Sequence, residues 1–113
     1  GAPILREADG LAMSSRNRYL SAQERSRALA IVSGLRAAWD EYADGERDAE
    51  RLAALAKTRI EPYFDKIDYV SCAHPERLTT CKSGEDRFVL LVAAHIGNTR
   101  LIDNVELGFD PRP

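Results

Sequence analysis

The hydrophobic pattern of this 113-residue chain changes period once, near residue 65, and this change limits the folds available to it. Before that point, apolar residues recur at steps of three and four, as in amphipathic α-helices. After it, residues 66–74 and 99–107 alternate roughly between apolar and polar, and residues 87–96 are almost continuously apolar, as in β-strands. Two helices followed by three strands predict an α+β fold, with two main helices packed on one face of a three-stranded antiparallel sheet.

The first helix is predicted to begin after Ser21 and to run to about Ala43. Ser21 is a typical N-cap residue, and Glu24 three positions later completes a capping box. Gly45 is the kind of residue that ends a helix. The predicted apolar face consists of Ala28, Val32, Leu35, Trp39 and Tyr42, widened by Leu29 and Ile31.

The second helix is predicted to start from a cap at Asp48 and to run to about Glu61, where Pro62 ends it. Its apolar residues again recur at helical spacing. The predicted inner face consists of Leu52, Leu55, Ala56, Arg59, Ile60 and Tyr63, with the arginine stem at the edge.

The most apolar strand, residues 87–96, is predicted to lie in the middle of the sheet, joined to the third strand by a turn at Gly97-Asn98. We expect Asp103 and Asn104 to orient the strand end through hydrogen bonds rather than to act in catalysis. Arg100 is expected to pair with a carboxylate or to cover the sheet. Residues 75–78 are predicted to form one helical turn, residues 79–86 a loop, and the tail 108–113 to fray.

Composition excludes several classes of function. The net charge of −2 gives no global attraction to nucleic acid or to an anionic membrane. No apolar run approaches the roughly 20 residues that span a bilayer, and no signal peptide is recognisable, so we expect a cytoplasmic protein. Cys72 and Cys81 are expected to be reduced thiols, and the isolated His74 and His95 give no metal-binding spacing.

The segment ADGLAMSSRNRYLS, residues 8–21, has the composition of an anion-binding loop. Gly10 permits close backbone approach, the hydroxyls of Ser14 and Ser15 donate hydrogen bonds, and Arg16 offers a charge-assisted contact. By composition alone, such a cluster is more often a solvated polar loop beside a helix cap than a phosphate site. Asn17 and Tyr19 are expected to shape and anchor the loop.

Three stretches carry a resemblance to a known family: DGLAMSSRNRYLS, GERD between the helices, and LLVAAHIGNTRLIDN near the end. With their spacing, they are similar to the C-terminal domain of the pantothenate synthetase (pantoate–β-alanine ligase) family over nearly the whole chain. The resemblance implies a ligase of coenzyme A biosynthesis. ATP and pantoate give pantoyl adenylate and pyrophosphate, and β-alanine then gives pantothenate and AMP.

The resemblance also assigns roles to residues. Met13, Ser14, Ser15 and Arg16 match the family's ATP-binding loop, which resembles in role the KMSKS loop of class I aminoacyl-tRNA synthetases. The serines would hold β- and γ-phosphate oxygens, and Arg16 would neutralise the leaving pyrophosphate. Leu5 matches a position that contacts adenine through the backbone. Mg²⁺ would be held through the phosphates rather than by this chain.

The resemblance covers only the C-terminal domain of the family enzyme, so we expect the N-terminal Rossmann-like domain to be absent from this chain, and neither histidine sits in the family's His-x-Gly-His arrangement. We therefore expect one C-terminal lid domain, with residues 1–20 as linker and ATP loop and residues 21–113 as a compact body. Alone it should be inactive and monomeric, and the parent should be a homodimer formed through the other domain.

Two functions of other classes remain open from the residues themselves. One is a stand-alone phosphate- or anion-binding module for phosphopeptides or RNA backbone, and the other is a structural dimerisation domain. Clustered basic residues with aromatics would favour nucleic acid. The arginines are instead scattered through acidic helices, as in DGERDAER, residues 44–51.

Overall fold

A computed structural model describes residues 5–73 and 87–113 and contains three α-helices and three β-strands within them. The helices are α1, Ala22–Ala28, α2, Ala30–Ala43, and α3, Ala49–Ile60. The strands are β1, Lys66–Ala73, β2, Phe88–Ile96, and β3, Thr99–Leu107. Helices α2 and α3 pack on one face of the sheet, which confirms the predicted fold class. The predicted turn at 75–78, the loop at 79–86, His74 and Cys81 lie outside the described residues.

The sheet is antiparallel with the order β1-β2-β3, so the apolar strand is central as predicted. Its alternate side chains, Phe88, Leu90, Val92, Ala94 and Ile96, are buried against the helices. The hairpin turns at Gly97-Asn98, where Gly97 has a φ of +56°. One irregularity interrupts the pairing of β1 with β2 between Ile67 and Tyr69, at Asp68.

The predicted single first helix is divided at Leu29, whose ψ of −14° is far from the about −42° of a regular α-helix. The predicted capping box at Ser21 and Glu24 is confirmed, with both reciprocal hydrogen bonds formed. The interruption separates a short helix that faces the loop from the longer helix of the core. Arg25 of α1 contacts the loop, and Arg27 contacts Asp65, the residue before β1.

The predicted inner face of α3 is right at Leu52, Ala56 and Ile60, which are fully buried. It is wrong at Arg59 and Tyr63, which are exposed. The helix ends at Ile60, and the chain then turns through a short 3₁₀ helix, Glu61–Tyr63, so Tyr63 no longer follows the helical period. Ala49 takes a place in the core that the prediction missed.

Helices α2 and α3 approach closely at Gly34. A Cβ atom there would lie 2.8 Å from the carbonyl oxygen of Ala56 and 2.8 Å from Cγ1 of Ile60. Glycine is therefore required by space rather than by backbone conformation.

The tail does not fray as predicted, because α2 holds it. The indole Nε1 of Trp39 donates to the carbonyl oxygen of Asp110 at 3.1 Å, and Arg112 forms an ion pair with Asp40. Trp39 and Tyr42 are partly buried at the edge of the core, as predicted.

Candidate functional site: the MSSR loop and its supports

The loop begins as a narrow antiparallel turn. Arg6 bridges Ala12, and the backbone N–H of Met13 donates to the carbonyl oxygen of Leu5 at 2.9 Å. Gly10, with a φ of +97°, makes the turn. This pairing places Leu5 and Met13 side by side, with 76% and 57% of their surfaces exposed. Two predicted nucleotide contacts are therefore neighbours and accessible.

Ser14 caps a 3₁₀ helix, Ser15–Tyr19. Its Oγ accepts a hydrogen bond from the backbone N–H of Arg16 at 3.1 Å. Because that bond uses only an acceptor lone pair, the hydroxyl proton of Ser14 remains a donor. Ser15, the first residue of this 3₁₀ helix, is exposed to solvent. The cap thus fixes the position of one serine and presents the next to solvent.

Arg16 is exposed, and its Nη1 donates to the carbonyl oxygen of Arg100 at 3.3 Å. It stands between two surface depressions, of about 450 and 740 Å³, and lines both. Met13 and Ser14 line the smaller one, which we call the loop groove. Leu5 and Ser15 are not part of that lining, so the structure brings together only three of the five predicted site residues in one groove.

The loop is anchored from below by Asn17, which is buried. Its Nδ2 donates to Oε2 of Glu7 at 2.5 Å and to the carbonyl oxygen of Ala12 at 2.9 Å. Arg25 of α1 then pairs with Glu7 and Asp9, each at 2.9 Å. The hydrogen bond from Asn17, followed by that from Arg25, lowers the pKa of Glu7. The prediction that Asn17 anchors the loop is confirmed, whereas Tyr19 is exposed beneath the guanidinium of Arg18.

A second anchor joins the loop base to the sheet. Both terminal nitrogens of Arg6 donate to the carboxylate of Asp103 on β3, at 2.7 and 2.9 Å. Arg6 Nη1 also donates to the carbonyl oxygen of Gly10 at 3.1 Å, so the same side chain closes the turn. Asp103 also accepts a hydrogen bond from the backbone N–H of Asn104 at 2.7 Å, so it holds neighbouring backbone as predicted, but its ion pair with the loop was not predicted.

A third polar cluster lies at the hairpin end of the sheet, on the face opposite the helices. One oxygen of Asp68 accepts from Arg100 Nε at 2.9 Å and lies 2.8 Å from His95 Nε2. The hydrogen bond from Arg100, and then that from His95, lowers the pKa of Asp68. The prediction that Arg100 pairs with a carboxylate is confirmed, and the predicted half-buried His95 has a polar partner.

Sequence reasoning missed Arg6, Glu7 and Arg25. One signal was available for the first anchor, since Asp103 alternates in phase with the buried Leu101 and a buried carboxylate requires a cation. Its partner could not be identified, because any of several arginines would serve. Nothing in the hydrophobic pattern of the sequence indicated that Glu7 and Arg25 would support the loop.

Within residues 5–73 and 87–113, no group of three metal-ligating side chains comes together. The same part of the chain contains no helix that is long and apolar enough to cross a membrane. Cys72 is buried at the end of β1.

The chain is similar to known proteins in both sequence and structure. The family model described as pantoate-beta-alanine ligase matches residues 1–106. This chain belongs to the pantoate–β-alanine ligase family. It is 52% identical to the pantothenate synthetase of Anaeromyxobacter dehalogenans over 95% of its length, and 52% identical to pantothenate synthetase 1 of Bradyrhizobium diazoefficiens over 96%.

The fold also agrees with a solved member of the ligase family. The crystal structure of pantothenate synthetase from Thermus thermophilus superposes with a TM-score of 0.85 at 33% identity, over 95% of this chain. The chain spans only 37–39% of the length of these relatives, and it corresponds to their C-terminal portion.

Proposed function

We propose that this chain is the ATP lid of an AMP-forming ligase that condenses pantoate with β-alanine through a pantoyl adenylate. The observation that carries the proposal is the exposed MSSR segment on a doubly anchored base, in a chain of the pantoate–β-alanine ligase family. A loop that must meet phosphate repeatedly needs accessible donors and a rigid support.

In this proposal the loop acts in the first step of the reaction. A carboxylate oxygen of pantoate attacks the α-phosphorus of ATP, the bond to the β-phosphate oxygen breaks, and pyrophosphate leaves. Ser14 and Ser15 would donate to β- and γ-phosphate oxygens. Arg16 would stabilise the negative charge that grows on pyrophosphate as the bond breaks. In the second step the amine of β-alanine attacks the acyl carbon and AMP leaves.

Leu5 and Met13 would contact the nucleotide on the neighbouring surface, Leu5 through its backbone at the adenine ring. Their side-by-side placement supports a common ligand. Mg²⁺ would accompany ATP through phosphate oxygens, because magnesium commonly keeps its water and phosphate ligands in such sites.

In the parent enzyme, substrate binding and lid closure would belong to two different domains. The pantoate and β-alanine pockets, and a Rossmann-like nucleotide fold, would belong to an N-terminal domain of the same chain, which would also form the homodimer. Residues 1–20 would act as linker and ATP loop, and residues 21–113 as the body of the lid, closing ATP onto the main site in the cytoplasm.

Product analysis with the full-length enzyme tests the proposal. ATP, Mg²⁺, pantoate and β-alanine should give pantothenate, AMP and pyrophosphate in equal amounts. Formation of ADP and phosphate would contradict the adenylate route, and absence of any turnover would favour a simple anion-binding module.

A further inference from the structure

We infer that Arg100 is a second phosphate-binding cation of the ATP lid, held in place by Asp68 and His95; the inference rests on the proposed function. Arg100 lies at the start of β3, and its own carbonyl oxygen accepts the hydrogen bond from Arg16. The two arginines line both depressions around the loop. Arg100 therefore shares the loop groove with Ser14.

The irregularity in β1 explains how Arg100 is oriented. Lys66 pairs with His95 and Tyr69 pairs with Ala93, so Asp68 is an extra residue between them. A bulge of this kind changes the direction of a side chain and is common beside functional sites. Arg100 and His95 are directly paired across β2 and β3. The bulge brings a β1 carboxylate to both.

The contact with Asp68 does not consume the binding capacity of Arg100. It uses the Nε–H, and Arg100 also makes a side-chain hydrogen bond with Tyr69, but a guanidinium has four N–H donors on its two Nη atoms. The side chain keeps 43% of its surface exposed. Of the carboxylates around the loop groove, Asp103 is paired with Arg6 and Asp68 with Arg100. The positive charge of Arg16 therefore remains available to a polyphosphate.

This assignment predicts a selective effect on the phosphate end of the nucleotide. In the full-length enzyme, Arg100→Gln should weaken competitive inhibition by pyrophosphate and raise the KM for ATP by about 10- to 100-fold, the range for loss of a charge-assisted hydrogen bond. Inhibition by AMP should change less than about 2-fold. Arg100→Lys should recover part of the lost affinity, because lysine restores the positive charge but not the planar set of guanidinium donors.

Asp68→Asn tests the positioning role. The substitution removes the negative charge of the carboxylate but keeps the shape of the side chain. Like Arg100→Gln, it should raise the inhibition constant for pyrophosphate and leave the inhibition constant for AMP unchanged. Added to Arg100→Gln, it should cause little further loss, since the two residues act as one unit. Equal weakening of AMP and pyrophosphate would indicate only a structural role.

Arg112→Gln is the matched control. Arg112 also donates its Nε to an aspartate at 2.9 Å, and its side chain is 51% exposed, but it lies on the tail against Asp40. Its loss should leave both inhibition constants unchanged. Arg100→Gln with wild-type pyrophosphate inhibition would overturn this inference alone, whereas a wild-type enzyme without pantoate-dependent pyrophosphate release would overturn the proposed function.

Discussion

Arg6 and Asp103, 97 residues apart in sequence, form an ion pair through two parallel hydrogen bonds, and the carboxylate side chain is only 3% exposed. The pair joins the base of the MSSR loop to the last strand of the sheet. Together with the buried Leu11 and the ion pairs of Arg25, this connection sets the position of the loop. It therefore links the stability of the fold to the geometry of the proposed ATP site.

Breaking this pair should be costly. Asp103→Asn leaves the Arg6 guanidinium partly buried without its counter-charge, and removing one partner of a buried pair typically costs about 3–5 kcal/mol. Because Arg6 is 16% exposed, we expect the lower end, about 3 kcal/mol. Urea unfolding measures the loss, with Arg112→Gln as an exposed-pair control that should be nearly neutral. Equal losses in the two variants would contradict the structural role of the pair.

The loop anchor at Glu7 should weaken in acid. Its folded pKa is depressed by the hydrogen bond from Asn17 and by Arg25, so its stabilising contribution is present above the unfolded pKa of about 4.3. That contribution is lost as the pH falls through the folded pKa. Glu7→Gln should therefore be less stable than wild type at pH 7, with the difference shrinking below about pH 4. Unfolding curves at a series of pH values give the difference, and a gap independent of pH would refute this explanation.

The close contact of α2 with α3 should not tolerate a methyl group. Gly34→Ala places a Cβ 2.8 Å from the carbonyl oxygen of Ala56, which is backbone and cannot rotate away. Overpacking of this kind costs about 1–3 kcal/mol. Thermal unfolding should detect it, and Ser33→Ala on the exposed side of the same helix should be neutral or slightly stabilising. A stable Gly34→Ala variant would mean that the helices can separate at no cost.

The sequence predicts the frame of this fold better than its polar supports. The capping box at Ser21, the central apolar strand and the turn at Gly97 follow from local rules that act within a few residues. The two-part helix at Leu29 and the exposed Tyr63 do not, because the backbone departs from α-helical geometry at Leu29 and in the 3₁₀ turn that contains Tyr63.

In the candidate site, too, the sequence predicts the loop residues better than the residues that support them. The loop residues Met13, Ser14 and Arg16 are recognisable as a contiguous motif, and the structure brings them to one groove. Their supports, Arg6 with Asp103 and Asp68 with Arg100, connect residues distant in sequence. The sequence pattern can indicate that a buried carboxylate needs a cationic partner. It cannot indicate which of the many arginines is that partner, because this depends on the three-dimensional fold.

Arg16 should matter for chemistry and little for folding. If the proposed function holds, Arg16→Ala in the full-length enzyme should slow adenylate formation by about 10²-fold or more, because the charge on leaving pyrophosphate would lose its stabilisation. The free energy of unfolding should change by less than about 0.5 kcal/mol, since the side chain is exposed. Single-turnover kinetics and urea unfolding of the same variant separate the two effects, and wild-type turnover would remove Arg16 from the mechanism.

Pantoate-dependent release of pyrophosphate by the full-length protein, with ATP and Mg²⁺ but without β-alanine, tests the central claim most directly. If the MSSR loop serves an adenylate-forming ligase, pyrophosphate should appear only when pantoate is present, and Arg16→Ala should suppress it. Release that does not depend on pantoate, or no release at all, would contradict the assignment of this chain as the ATP lid of a pantoate–β-alanine ligase.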